Sequence, residues 1–218
     1  MNLAILGPQA SGKGTQAQLL AKKTGLFLLE MGDVCRDLAA QKTTLGQKVA
    51  SFINQGRLVP DRMMIKILKN FLNPKNLKKG ILFDGFPRKL GQVKILENEL
   101  KRWQSQIDKV IFLNLSLEES RRRLSARRVC PRCGRNYNLI TRPPKKKGIC
   151  DQCGVALIIR ADETDEAIKR RLALYQQETL PVIEYYRDKG ILLEINGDQP
   201  VEVIQQEILE SLKLSFAF

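Results

Sequence analysis

Two groups of residues in this 218-residue chain are spaced to do chemistry. The first is Gly7-Pro-Gln-Ala-Ser-Gly12-Lys13-Gly14-Thr15. Glycine, four residues, glycine and lysine is the spacing of a phosphate cradle. Gly7 and Gly12 let the backbone turn so that successive N–H groups face one anion. Lys13 adds a full charge, and a helix starting here would aim its positive end at the same anion. Gly14 stands where Ser or Thr commonly offers a hydroxyl to magnesium, and Thr15 comes one place later. Metal binding would then lean on carboxylates elsewhere, with Asp33 and Asp84 as candidates.

The second group is Cys130-Pro-Arg-Cys133-Gly and Cys150-Asp-Gln-Cys153-Gly, with sixteen residues between the pairs. That spacing matches a four-thiolate zinc site. Four thiolates leave a tetrahedral ion no open position, so the ion would be structural. Disulfides are the rival reading, though nothing in the chain points to an oxidising compartment. Iron–sulfur ligation is a further alternative. Cys35 stands apart and reads as a small buried hydrophobe. The chain contains no histidine, which removes the commonest general base.

These groups need a scaffold, and the apolar pattern supplies one. Leu3–Leu6, Leu26–Leu29, Ile81–Asp84, Val110–Leu115 and Ile191–Ile195 are short apolar runs separated by helix-competent stretches. Runs of this kind predict an α/β fold with a parallel sheet covered on both faces. Helices are expected after Thr15, after Asp61 and from Pro200, the last with the proline in its first turn. The region from Asp33 to Gly56 reads as mostly helical, and Arg128 to Asp162 as a small metal-pinned lobe. A lobe that small lacks its own apolar core, so the ion would supply folding energy.

A hydrophobic fraction of 43% is globular, and no apolar run reaches the length of a membrane span. No basic region followed by a long apolar stretch opens the chain, so a cytoplasmic location is the expectation. The net charge of +14 calls for a negative partner, either nucleic acid or small polyphosphates. Aromatic residues make up only 6% and do not alternate with the basic ones, which weakens the nucleic-acid reading. The run Lys145-Lys146-Lys147 reads as solvated surface.

Taken in order, the motifs resemble the adenylate kinases with a long zinc-bearing lid, over essentially the whole chain. The resemblance rests on Gly12-Lys-Gly-Thr-Gln16, Gly32-Asp33 with Arg36, Gly56-Arg-Leu-Val-Pro-Asp61, and Asp84-Gly-Phe-Pro-Arg88 with Gln92. The cysteine pairs, Arg160 with Asp162, and Arg171-Leu172 with Tyr175 complete it. It implies reversible transfer of a phosphoryl group from magnesium-ATP to AMP, giving two ADP, in a monomer. It also implies a core of residues 1–29, 61–125 and 164–218, a monophosphate-binding insert at 30–60 and a lid at 126–163.

Site roles follow from the same resemblance. ATP would be held by Gly7, Gly12, Lys13, Gly14, Thr15, Arg123, Arg127 and Gln199. AMP would be held by Met31, Arg36, Arg57, Val59, Gly85, Arg88, Gln92, Arg160 and Arg171. Lys13, Arg88, Arg127, Arg160 and Arg171 would surround the transferred group, while Asp33 and Asp84 would hold magnesium through its waters. Met31 stands where the family has a hydroxyl residue beside the AMP base. The alternatives are a kinase for another nucleoside monophosphate, or a nucleotide-switched zinc-ribbon module that binds nucleic acid. Arg36, Arg88 and Gln92 have no role in the second.

Overall fold

The computed structural model describes residues 1–160 and 164–213; Asp162, Glu163 and the tail Leu214–Phe218 lie outside the described residues. In chain order the elements are β1 (Leu3–Leu6), α1 (Lys13–Thr24), β2 (Phe27–Glu30), α2 (Met31–Ala39), α3 (Thr44–Ile53), α4 (Asp61–Lys69) and α5 (Pro74–Lys79). Then come β3 (Ile81–Asp84), α6 (Leu90–Lys101), β4 (Lys109–Asn114), α7 (Leu117–Ser125), β5 (Arg127–Val129) and β6 (Asn136–Asn138). The described chain closes with α8 (Asp165–Leu174), a π-helical turn (Tyr175–Thr179), α9 (Leu180–Asp188), β7 (Leu192–Asn196) and α10 (Val201–Ser211).

The expected parallel sheet is present, in the order β2-β3-β1-β4-β7, with every pairing parallel. The apolar runs are continuous because both faces are covered. Leu3 and Ile5 of β1 pack on one face with Ala17 and Leu20 of α1 and Ile204 and Ile208 of α10. Ala4 and Leu6 point to the other face, among Phe83, Phe86, Val182 and Tyr186. β2 and β7 begin one residue later than the sequence predicts, and Pro200 is the cap before α10 rather than part of its first turn. The helix α5 and the π-helical turn were not foreseen. Propensity does not distinguish a π turn from the α-helices it continues, because only the hydrogen-bond spacing differs.

The order of strands locates the site. Chain connections leave β1 toward β3 and β2 on one side and toward β4 and β7 on the other. Ligands of open α/β sheets bind where the order reverses, beyond the carboxyl ends of the strands. At those ends stand Gly7 after β1, Glu30 at the end of β2, and Asp84 with Gly85 at the end of β3. Two elements leave this layer. The paired helices α2 and α3 form one, and the hairpin β5–β6 forms the other. Among the described residues no helix is long and apolar enough to cross a membrane.

Candidate active site and metal centre

The loop after β1 has the geometry of an anion cradle. Gly7 holds φ +148, and a Cβ there would lie 2.5 Å from the Leu113 carbonyl oxygen, so no other residue fits without moving β4. The loop feeds directly into α1, whose first residue is Lys13. Its Nζ donates to the Gly7 and Pro8 carbonyls at 2.9 and 2.6 Å, folding the side chain over the loop. Burial pulls the ammonium down to about 7. Asp84 resists this, while the charges of Arg88, Arg127 and Arg171 add to it.

Those arginines make the floor of a cavity of about 890 Å³ strongly positive. Arg88 donates from Nε to the Gly85 carbonyl at 2.6 Å, and its peptide carbonyl accepts from Thr179 Oγ1 at 3.1 Å. Its pKa is lowered by burial first and then by Arg171, with Asp84 pulling the other way. A guanidinium remains charged through such a shift, so Arg88 keeps its positive charge in the cavity. Every nucleotide-site residue expected from the sequence lines this cavity or the smaller one that adjoins it. The two share Arg36, Gly85, Arg88 and Arg171.

The smaller cavity has an apolar side. Met31, Cys35, Val59 and Phe86 line it, and all four are buried, Cys35 at 4% exposure as expected of a small hydrophobe. Gln92, 2% exposed, brings the carboxamide. Arg57 lies at the mouth with its guanidinium 5.2 Å from the Phe52 ring centre.

Carboxylates gather at the ends of β2 and β3. A Cβ built on Gly14 would lie 3.4 Å from Asp84 Oδ2 and 3.7 Å from Glu30 Oε1, so the absent side chain keeps open the space these oxygens face. Burial raises the pKa of Glu30, and the charges of Asp33 and Asp84 raise it further. Burial likewise raises Asp84, against the pull of Lys13. Oxygen donors around an open space beside a phosphate cradle fit a hydrated magnesium ion, which keeps most of its waters. Asp33 is more committed than the sequence implied, because its Oδ1 forms an ion pair with Arg36. Glu30 was missed. Its signal was a carboxylate at the end of a predicted strand, next to the Gly32-Asp33 motif.

Three expected contacts to the larger cavity are tied down by hydrogen bonds. Arg123 is only 8% exposed, and its guanidinium bonds Glu119 at 2.7 Å, the Gly197 carbonyl at 3.1 Å and Asp198. Gln199 Nε2 is held by the Glu207 carboxylate at 3.1 Å. Arg160 donates to Asn136 on β6. The run Lys145–Lys147 is exposed, as the sequence implied.

The four cysteines converge. Their sulfurs all lie within 4.8 Å of one another, and Cys133 and Cys150 are 3.8 Å apart. Zinc–sulfur bonds of about 2.3 Å in a tetrahedron require sulfurs about 3.8 Å apart. Each pair sits on a tight turn closed by a glycine, Gly134 at φ 72 and Gly154 at φ 68. The Tyr137 hydroxyl accepts from the Asp151 N–H at 2.8 Å and is hydrogen-bonded with Cys150 Sγ, 3.5 Å away. That bond pulls the Cys150 thiol down to about 6, toward the thiolate that binds metal. Cys130, Tyr137 and Cys150 are buried at the cluster, packed by Val155 and Leu157.

Comparison with known proteins agrees with this arrangement. The adenylate kinase family model matches residues 5–191. The chain is 41% identical to an adenylate kinase of Caldicellulosiruptor saccharolyticus, over 97% of this chain and 99% of that one. It is also 41% identical to one of Archaeoglobus fulgidus, over 98% and 100%, and 40% identical to one of Chloroherpeton thalassium, over 97% and 98%. With a glycine-rich loop, a ring of arginines and two adjoining cavities at the carboxyl edge of its sheet, the chain belongs to the adenylate kinase family.

Proposed function

We propose that this chain transfers the terminal phosphoryl group of magnesium-ATP reversibly to AMP, giving two ADP. The observation that carries the reading is the pair of cavities meeting at Arg36, Arg88 and Arg171. Two nucleotides laid end to end would bring their phosphates together at that junction. ATP takes the larger cavity, with its phosphates on Gly7–Thr15 and its base toward Arg123 and Gln199. AMP takes the smaller one, with its phosphate on Arg36 and Arg88 and its base beside Met31, Val59 and Gln92.

The attacking atom is an AMP phosphate oxygen, already ionised because its second pKa is ~6. No general base is required, which accommodates a chain without histidine. Lys13, Arg88, Arg127, Arg160 and Arg171 hold the equatorial oxygens on which negative charge spreads in the transition state. Bound magnesium would neutralise charge on the ATP phosphates, held by Asp84 and Asp33, with Glu30 beside them. Water competes with AMP for the phosphoryl group, so the segment at 126–163, acting as a lid, must exclude it. Zinc on the four cysteines keeps that lid compact. The remaining assignments are a core of 1–29, 61–125 and 164–218, an insert at 30–60, and a monomer working in the cytoplasm without nucleic acid.

A coupled assay of ADP formation with AMP, GMP, CMP and UMP tests this reading. AMP is expected to be the preferred acceptor. Absence of transfer to any of the four would end the proposal.

A further inference from the structure

Resting on that reading of the smaller cavity, we propose that Asp61 is a positioning residue that sets base selectivity, by locking the direction of the Gln92 carboxamide.

A glutamine amide can face a base in either of two senses, with oxygen and nitrogen exchanged. The two senses read opposite edges. Adenine offers a donor at its 6-amino group and an acceptor at N1, whereas a 6-oxo purine offers an acceptor and then a donor. A free glutamine would serve both by turning over. Gln92 is not free to turn.

Gln92 Oε1 accepts the backbone N–H of Arg88 at 2.9 Å. Nε2 donates to Asp61 Oδ1 at 3.0 Å. A backbone N–H can only donate and a carboxylate can only accept, so the two partners together dictate which atom faces which. Turning the amide over would set N–H against N–H and oxygen against carboxylate, at a site only 2% exposed where water cannot repair the loss. The partners are themselves fixed. The backbone of Arg88 is held at its carbonyl by Thr179. Asp61 lies in the first turn of α4, with its Oδ2 2.9 Å from where a Gly91 Cβ would be. Asp61 does not line the cavity, so it acts on the base only through Gln92.

Once both bonds are made, Gln92 has one lone pair on Oε1 and one hydrogen on Nε2 left to offer. Their fixed order suits a 6-amino purine with an acceptor at N1. A 6-oxo purine of the same size meets two like-signed contacts.

The test compares kcat/KM for AMP with that for inosine monophosphate, which differs from AMP only along this edge. Wild type, Gln92→Leu, Asp61→Asn and Asp61→Ala are measured, with thermal melting as a check on folding. Both Asp61 variants are expected to lower the AMP-to-IMP ratio by about tenfold, since alanine removes the acceptor and an asparagine amide, able to turn over together with that of Gln92, no longer dictates its sense. The change should fall on KM, with kcat at saturating AMP nearly kept. Asp61→Ala removes the acceptor without adding a donor, so it decides the matter should Asp61→Asn fail to fold. Ratios within twofold of wild type in the Asp61 variants, with a collapsed ratio in Gln92→Leu, would overturn the lock and leave the AMP site standing. An unchanged ratio in Gln92→Leu would overturn both.

Discussion

Lys13 offers the sharpest measurement of how this site works. With a pKa of about 7 in the protein, its ammonium is about nine-tenths neutral at pH 8 and about one-tenth neutral at pH 6. A polyphosphate on the loop supplies further counter-charge beside that of Asp84. At an effective dielectric constant near 20, one unit charge about 4 Å away is worth ~4 kcal/mol, or roughly three pKa units. The bound lysine therefore titrates well above 8, and binding must take a proton from solution. A bisubstrate dinucleotide polyphosphate is the right ligand, because its phosphates are bridged at both ends and no terminal monoester titrates with a pKa of ~6. Calorimetry of the metal-loaded protein, in buffers of different ionisation enthalpy, counts the protons. Uptake of about 0.9 proton at pH 8, falling to about 0.1 at pH 6, is expected from the lysine. Since the pKa is low in the free protein and high in the complex, affinity is greatest below pH 7 and weakens about tenfold per unit above it. Lys13→Arg keeps its charge throughout and should show almost no uptake. Uptake below about 0.3 at pH 8, or equal uptake in Lys13→Arg, would refute the claim that burial among cations holds this amine neutral.

Other perturbations probe the remaining parts. Arg88→Ala should cut kcat by at least about a hundredfold, as expected for a donor to the transferred group, while melting within a few degrees of wild type. Stability should not suffer much, since the variant relieves the repulsion between Arg88 and Arg171; an unimpaired rate would remove Arg88 from the site. Stripping metal from the cysteine cluster should unfold the segment around β5 and β6, detected as rapid amide exchange there, while the parallel sheet stays protected. Exchange unchanged by the chelator would mean that the small cluster around Tyr137 holds this lobe without an ion. Gly7→Ala combines a left-handed φ with a 2.5 Å approach to the Leu113 carbonyl, and should cost about 3 kcal/mol in denaturant unfolding.

Much of the molecule was legible without a fold because its chemistry is local in the chain. The Gly7–Thr15 loop, the strand before it and the helix after it are contiguous, so spacing alone announced a phosphate site. Each Cys-x-x-Cys pair makes its own turn, and only the joining of the two pairs needed distant contacts. The five strands of the sheet showed as apolar runs because the burial of both faces leaves little room for polar residues.

What the chain could not declare by itself was the direction and partnership of side chains brought together from afar. Glu30 became part of the site only when β2 was laid beside β3 and its carboxylate met Asp84 across Gly14. Arg123, expected from the resemblance beside ATP, is buried because Asp198 and Gly197 arrive from 75 and 74 positions away. Gln92 was visible as a carboxamide on a helix, but its sense is set by Asp61, 31 residues earlier, and by the Arg88 N–H. Residue types and short spacings determined which groups this protein has; hydrogen-bond direction and charge strain depend on through-space distances of a few ångströms, which only packing decides.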